Sequence, residues 1–306
     1  MTEDDIRALF ERIKNWGRWG AEDHRGALNF ITPARRKAAA QLVREGVSIS
    51  LAQDLKTQSS LLNPCPVQHH MLKAADVAPA RGYSAVTDFI GIAPHGPSHT
   101  HLDAFCHLVF DGLSFNGLPA SEIRSTGARG NDLSATEHGV ITRGVLLDIP
   151  KLRGVNYIEI ETPITVADLE AAERMAGLRV ASGDALVIRT GRHERVKALG
   201  EAAERCDGKL HLAGLHPDCL EWMHQREISL LASDGGHDVL PSPYPTGLPI
   251  HIGTLVFLGV HLIDNAALED LAMASAHYGR AEFLFALAPI RLKGATGCAV
   301  NPIATF

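Results

Sequence analysis

Short apolar runs rich in β-branched residues are the feature that most restricts the fold of this chain. Each run is shorter than an average helix and is bounded by polar or turn-forming residues, so each predicts a buried strand. These runs are residues 86–93, 144–149, 185–189, 228–232 and 254–262. A bundle made only of helices is therefore excluded.

Helical patterns are interspersed among these runs. Residues 32–44 have Thr32 as an N-cap, Pro33 in the first turn and Gly46 as a stop signal. A second helix is predicted after Thr165, where Asp168 completes a capping box, and a third over residues 216–226. The pattern predicts an α/β fold with a mixed β-sheet or barrel-like core and flanking helices. No repeat or low-complexity linker interrupts residues 1–306, so a single domain is expected.

Composition excludes several classes of function. The net charge is −6 and no basic run occurs, so nucleic acid is not an expected partner. No stretch has the 18 or more apolar residues of a membrane span, and the charged, amphipathic N-terminus does not resemble a secretory signal. The five cysteines are widely spaced and form no Cys-x-x-Cys pair, which argues against disulfides and a thiolate zinc site. A cytoplasmic protein without a membrane partner is expected.

Histidine is the residue whose distribution points to a function. The chain has 16 histidines, and four of them lie with Asp103 in the segment HGPSHTHLDAFCH, residues 95–107. If this segment is extended, a period of two places His99, His101 and Asp103 on one face. Imidazole and carboxylate groups are ligands for Zn²⁺, Mn²⁺ or Fe²⁺. The spacing therefore predicts a metal site.

The same segment resembles the signature H-x-G-T-H-x-D-x-P-x-H of the metal-dependent cyclase family, which includes bacterial kynurenine formamidase and isatin hydrolase. Four of the seven fixed positions are kept: Thr100, His101, Asp103 and His107. Three depart from the signature: Pro97 replaces the first His, His99 the Gly and Phe105 the Pro. Segments 19–20, 26–33, 143–148, 183–184, 189–191 and 294–297 are similar to further regions of the longer family members.

The resemblance implies specific roles for the residues of the motif. His101 and Asp103 correspond to metal ligands, and His107 corresponds to a catalytic acid/base. Either His95 or His99 would supply the ligand lost at Pro97; the longer relatives favour His95 slightly. The family also implies a swivelling β/β/α-like fold, a divalent Mn²⁺ or Zn²⁺ cofactor and a homo-oligomer, either a dimer or a tetramer.

A second region resembles the place where family members have a further His and an acidic or Gln ligand. His251 and Asp264 occupy these approximate positions. Asp is shorter than the Glu of the two-metal members, so the resemblance leaves open whether the site holds one ion or two. Asp264, with the following Asn, also fits the N-cap of a helix. His261 is out of phase with Asp264 and is expected to be structural.

These residues predict a metal-dependent hydrolase for a small molecule: a cyclic amide, an aryl formamide or a lactone. Metal-activated water would attack the carbonyl, and His107 would act as general acid/base. Phe105 and Phe110, with Phe115, are expected to form an apolar wall for the substrate. Two other functions remain open, namely a cyclase or lyase on the same scaffold and a small-molecule binding protein without catalysis. No serine has a nucleophile elbow, and alternation turns Cys106 away from His107.

Overall fold

The computed structural model describes residues 1–76 and 83–306. Its helices are α1 (Glu3–Ile13), α2 (Pro33–Ala40), α3 (Ile149–Arg153), α4 (Val166–Ala176), α5 (Arg192–Leu199), α6 (Cys219–Arg226), α7 (Pro249–His251), which runs on into a π-helix (Ile252–Leu258), and α8 (Glu269–Tyr278). Its strands are β1 (Ser48–Ser50), β2 (Gln68–Lys73), β3 (Thr87–Gly91), β4 (His101–Asp103), β5 (Ile123–Arg124), β6 (Gly127–Ala128), β7 (Val140–Asp148), β8 (Ala185–Arg189), β9 (Arg205–Cys206), β10 (Lys209–Leu210), β11 (Leu230–Ser233), β12 (His261–Asp264), β13 (Glu282–Leu287), β14 (Gly297–Ala299) and β15 (Ile303–Thr305).

A curled, half-barrel sheet organises the fold. Within the described residues it has nine strands in the order β1-β15-β13-β7-β8-β11-β12-β4-β14. The central strands β7, β8, β11 and β12 are parallel, whereas the strands on both sides of them pair antiparallel. The central strands have apolar residues on both faces because each face packs against its own buried cluster. The predicted α/β architecture with a mixed, curled sheet is confirmed.

The predicted helices are present, with shifts at their ends. The side chain of Thr165 accepts a hydrogen bond from the Asp168 N–H, and the Asp168 carboxylate accepts one from the Thr165 N–H. This is the predicted capping box of α4. Helix α2 ends at Ala40 and not near Arg44, because the N–H groups of residues 45 and 46 donate to the carbonyl of Phe306. Helix α6 begins at Cys219, three residues later than predicted.

The prediction of a strand over residues 254–262 is wrong for most of its length. Ile252–Leu258 is a π-helix, and strand β12 begins only at His261. The N-terminal segment stabilises this helix, because Asn15 and Trp16 donate hydrogen bonds to the carbonyls of residues 256–258. A short, fully buried apolar run fits a helix as well as a strand, and these distant donors decide between them.

The apolar run at residues 86–93 forms a strand, but the prediction that it is buried is wrong. Within the part of the chain that the structure describes, strand β3 pairs only with β2, and the ribbon they form is mostly exposed. Among the described residues, no helix has both the length and the apolar composition needed to cross a bilayer.

Candidate metal centre

Three strands bring the candidate ligands to one place. Strand β4 lies between β12 and β14, and its register places His101 directly opposite Asp264. Opposite residues of an antiparallel pair point to the same face of the sheet, and a period of two adds Asp103 to that face. Leu102 points the other way, into a buried apolar cluster. The alternation expected for His101 and Asp103 is therefore present.

A first group of ligand atoms comes from His95, His101 and Asp103. Asp103 Oδ1 lies 2.8 Å from His95 Nδ1 and 3.5 Å from His101 Nε2. His101 Nδ1 lies 2.8 Å from the carbonyl oxygen of His99. Because a carbonyl only accepts, Nδ1 carries the proton and Nε2 presents its lone pair toward Asp103.

A second group shares Asp103 with the first and adds His251 and Asp264. His251 Nε2 lies 3.9 Å from Asp103 Oδ2 and 3.5 Å from Asp264 Oδ2. The other ring nitrogen of His251 lies 2.6 Å from the Asp238 carboxylate. Asp238 also accepts hydrogen bonds from the backbone N–H groups of residues 250 and 251, so it fixes both the ring and its backbone.

The donors of both groups fit a divalent cation. Both oxygens of Asp103, Asp264 Oδ1 and His95 Nδ1 are buried and have no hydrogen-bond partner with acceptable geometry in the described part of the chain. Burying polar atoms without hydrogen-bond partners costs free energy unless a cation or a water molecule binds to them. Ligands at about 2.0–2.2 Å from a metal lie about 3.0–3.6 Å from one another. Two of the measured separations are 3.5 Å, the other two are 2.8 and 3.9 Å, and all ligand atoms of each group lie within 4.8 Å of one another. The ligand atoms are therefore placed as a metal ion requires.

The electrostatics of the cluster also favour a cation. Burial opposes the charged form of Asp264, but His251 and His237 outweigh it and hold the pKa of Asp264 well below its ordinary value. Burial likewise opposes charge on His251, but Asp264 and Asp238 raise its pKa well above the ordinary value. The pKa of Asp103 is also lowered: burial acts against this shift, and the contact with His95 outweighs burial. Ionised carboxylates at less than a tenth of their full exposure attract positive charge strongly.

His107 lies beside the first group without belonging to it. It ends a short 3-10 turn (Phe105–His107), and its ring stacks on the His95 ring with a centroid distance of 3.8 Å and an interplanar angle of 6°. Burial, reinforced by the neighbouring His95, lowers the pKa of His107 to about 4. The imidazole is therefore neutral near pH 7 and able to accept a proton.

The structure distinguishes His95 from His99 as candidates for the ligand that Pro97 cannot supply. His95 belongs to the first group, whereas His99 belongs to neither. Strand β4 begins only at His101, so the alternation that would have aligned His99 with it does not extend that far. Instead, the His99 carbonyl accepts hydrogen bonds from His101 and Asn265.

The expected apolar wall is not formed. Phe105 has no exposed surface, stacks on His261 with a centroid distance of 4.1 Å and packs on Phe115 in the core. Phe110 packs on Phe10 and Phe257 beneath helix α1, in a cavity of about 280 Å³ that none of the ligands lines. Placing these two residues in the substrate wall was therefore incorrect. The ring of Phe105 packs on Phe115 and His261, and the ring of Phe110 packs on Phe10 of α1 and Phe257 of the π-helix.

Other residues expected to have no part in the chemistry lie in the core. His261 is fully buried, and its Nδ1 lies 2.9 Å from the carbonyl oxygen of Asp103, which agrees with a structural role. Cys106 is buried, and burial, together with Asp132, raises the pKa of its thiol to about 12. The sequence excluded Cys106 because alternation turned it away from His107, but here a 3-10 turn and not a strand holds it. A protonated, buried thiol is a poor nucleophile.

Sequence reasoning missed four residues that support the cluster. His237 Nε2 lies 3.1 Å from Asp264 Oδ1, and Asp238 holds His251. Both residues belong to the loop that follows β11, and a loop at the carboxyl end of a buried parallel strand was the available signal. Thr296 Oγ1 lies 2.9 Å from His95 Nε2, and an added Cβ at Gly297 would lie 2.6 Å from His95 Cε1. Nothing in the local sequence indicates that Thr296 and Gly297 contact His95.

The fold and the clustered ligands define a mixed α/β protein with a His/Asp centre suited to a divalent ion. A family model named Cyclase matches residues 49–237, which is the greater part of the chain and includes the whole 95–107 segment. The chain belongs to the cyclase family. His251 and Asp264 lie beyond the matched residues, so their assignment to the site rests on the structure.

Solved structures agree with the family assignment. A crystal structure described as a novel cyclase is 32% identical, with a TM-score of 0.84 over 96% of this chain and 99% of that one. Isatin hydrolase A from Labrenzia aggregata, bound to benzyl benzoate, is 18% identical, with a TM-score of 0.63 over 87% and 94% of the two chains. Isatin hydrolase A from Ralstonia solanacearum, also 18% identical, has a TM-score of 0.56 over 89% and 97%. The two isatin hydrolases share the fold. A comparison with curated proteins gives no match.

Proposed function

We propose that this protein is a metal-dependent hydrolase that opens or cleaves a small cyclic amide, an aryl formamide or a lactone. The observation that carries the proposal is the convergence of buried His and Asp ligand atoms, several of them without a hydrogen-bond partner among the described residues, beside a neutral histidine. The isatin hydrolases that share the fold are named for hydrolysis of a cyclic amide, which supports this choice of bond. The substrate is a small molecule.

The first group would hold the ion through His95 Nδ1, His101 Nε2 and Asp103 Oδ1. Histidine and carboxylate donors suit Zn²⁺ or Mn²⁺, and these are the two ions proposed. When bound, such an ion activates water and polarises the carbonyl of the substrate. The second group would hold another ion through Asp103 Oδ2, His251 and Asp264, with Asp103 bridging the two groups.

His107 is the residue proposed to move the proton. Its neutral ring would take a proton from the attacking water as the water oxygen bonds to the carbonyl carbon. It would then return that proton to the leaving nitrogen or oxygen as the bond to the acyl carbon breaks. Its stacking on His95 fixes the plane of the ring, which restricts the directions in which its nitrogens point.

The test combines metal analysis with a search for turnover. Purified protein should contain zinc or manganese by elemental analysis, and it should release acid from members of a panel of cyclic amides, aryl formamides and lactones. His101→Ala and Asp103→Ala should lose the metal and the turnover together. His138→Ala is the matched control, because this histidine is exposed, pairs with Glu137 and belongs to neither ligand group.

Full activity in a metal-free protein would refute the proposal. Label from H₂¹⁸O should enter the product; turnover without label would assign a cyclase or lyase reaction to the same scaffold. Stabilisation by a ligand without any turnover would instead indicate a binding protein.

A further inference from the structure

His95 lies on a segment without regular secondary structure, so contacts with other parts of the chain must fix its conformation. Residues 92–100 form no helix or strand, yet the later part of the segment is held within the fold, with Ser98, His99 and Thr100 buried. Buried carbonyls need donors, and a segment without regular structure must find them in side chains. The carbonyls of Gly96, Pro97 and His99 all accept from side chains: Asn265 and Arg192 donate to them from other elements, and His101 also donates to His99.

Asn265 directly follows Asp264, and its side chain donates to this segment twice. Its Nδ2 group donates to the carbonyl of Gly96 at 2.7 Å and to the carbonyl of His99 at 3.1 Å. Its backbone φ is +56°, a left-handed conformation that Asn adopts more readily than most residues. One side chain therefore links the segment that carries His95 to the end of the strand that carries Asp264.

Arg192 donates hydrogen bonds both to Asn265 and to the segment that carries His95. Its Nη1 donates to Asn265 Oδ1, and its Nη2 donates to the Pro97 carbonyl at 3.0 Å. The guanidinium is buried and paired with Glu204 at 2.9 Å. The backbone N–H of Arg192 and that of the preceding Gly191 donate to the Asp234 carboxylate, which fixes the start of helix α5.

We infer that Asn265 and Arg192 are positioning residues that hold the segment 95–99 so that His95 can serve as a metal ligand. This inference rests on the proposed function, because it assumes that His95 binds the ion. Gly96, Pro97 and His99 are fixed by their carbonyls, so the side chain at position 97 makes none of these contacts. The family's first ligand position can therefore be occupied by Pro97 while the same segment presents His95.

The test measures metal binding directly. The dissociation constants for Zn²⁺ and Mn²⁺ are obtained by competition with a chromophoric chelator, and the metal-induced rise in Tm is recorded. Asn265→Gly removes the amide without straining the left-handed backbone, and it should weaken binding by about 10–100-fold, as loss of a ligand's supporting contacts does. The rise in Tm on adding metal should shrink accordingly.

Asn131→Gly is the matched control. Asn131 is also buried, has a φ of +58° and donates from Nδ2 to the carbonyl of Phe115 at 2.7 Å. It should keep the wild-type affinity for both ions. The inference is overturned if Asn265→Gly keeps that affinity too, or if the two variants lose it equally.

A second pair of variants covers the case in which Asn265→Gly does not fold. Arg192→Lys keeps a charge beside Glu204 but cannot reach both Asn265 and Pro97, so affinity should fall by about 3–10-fold. Arg226→Lys, at a buried pair with Glu173, should leave affinity unchanged. Equal affinity in these two variants also overturns the inference.

The outcomes separate this inference from the proposed function. If the wild type binds metal but hydrolyses nothing in the panel, the proposed function fails, and the variants still decide the inference. A wild type that binds neither ion overturns both.

Discussion

Gly297→Ala should disrupt the metal centre through a single methyl group. An added Cβ at this position would lie 2.5 Å from the Leu102 carbonyl oxygen and 2.6 Å from His95 Cε1, and real contacts of a Cβ atom do not come closer than about 3.0 Å. The φ of Gly297 is not left-handed, so backbone strain does not contribute. The predicted destabilisation therefore arises from steric overlap of the new Cβ alone.

Neither neighbour can move away easily. The Leu102 carbonyl belongs to β4, which is held between β12 and β14. The His95 ring lies between Asp103, at 2.8 Å from Nδ1, and Thr296, at 2.9 Å from Nε2. Forcing a methyl group into such a site costs about 1–3 kcal/mol. For a chain of this length that corresponds to a fall in Tm of roughly 2–5 °C. Displacing His95 removes a ligand of the first group, so metal affinity should fall by about 100-fold or more.

Scanning calorimetry and chelator competition would measure the two effects. The control is Gly91→Ala in the exposed ribbon, whose new Cβ would meet the Phe89 ring at 3.1 Å and the Gln68 side chain at 3.4 Å, both of which can move. It should change neither Tm nor affinity appreciably. A Gly297→Ala protein with wild-type Tm and affinity would show that His95 is not held as described.

Three further predictions follow from other contacts. His107→Gln should lower kcat by about 10²–10⁴-fold while the protein retains its metal, because His107 belongs to neither ligand group; loss of the metal in this variant would contradict its assignment. Asp238→Asn should weaken metal binding by about 10–100-fold, because the carboxylate orients His251 at 2.6 Å; unchanged binding would mean that His251 is not a ligand. Asp168→Asn should destabilise the protein at neutral pH, because hydrogen bonds from Arg153 and Thr165 overcome burial and lower the pKa of Asp168. A lowered pKa contributes stability above the unfolded-state value and loses it as the pH falls, so urea denaturation should show wild type and variant converging in acid; a difference that persists there would contradict this.

The local signals of the sequence were sufficient for several of the elements and for one part of the site. Capping residues such as Thr165 and Asp168 act within a single turn, so they are readable without a fold. The parallel strands β7, β8 and β11 were recognisable because both of their faces are buried, which leaves a continuous apolar run. His101 and Asp103 share a face because a strand alternates every residue, and this period holds wherever the strand lies.

Other features depended on contacts between residues distant in the chain. The run at 254–262 became a π-helix because donors from residues 15 and 16 reach its carbonyls. The choice of His95 over His99 followed from where strand β4 begins and from Thr296 and Gly297, about 200 residues further along. Phe105 and Phe110 are apolar residues in or close to the motif, and only their packing on His261 and Phe257, which are distant in the chain, shows where their rings lie.

The sequence by itself determined the α/β class, the main strands and the histidine motif, because each of these depends on neighbours within a turn or on the period of a strand. The tertiary structure alone decided which histidine lies with His101 and Asp103, that His237 and Asp238 contact Asp264 and His251, and that Asn265 and Arg192 donate to the segment that follows His95. Those relations depend on which strands are adjacent in the sheet, and strand order is set by the packing of the whole chain and not by any local run of residues.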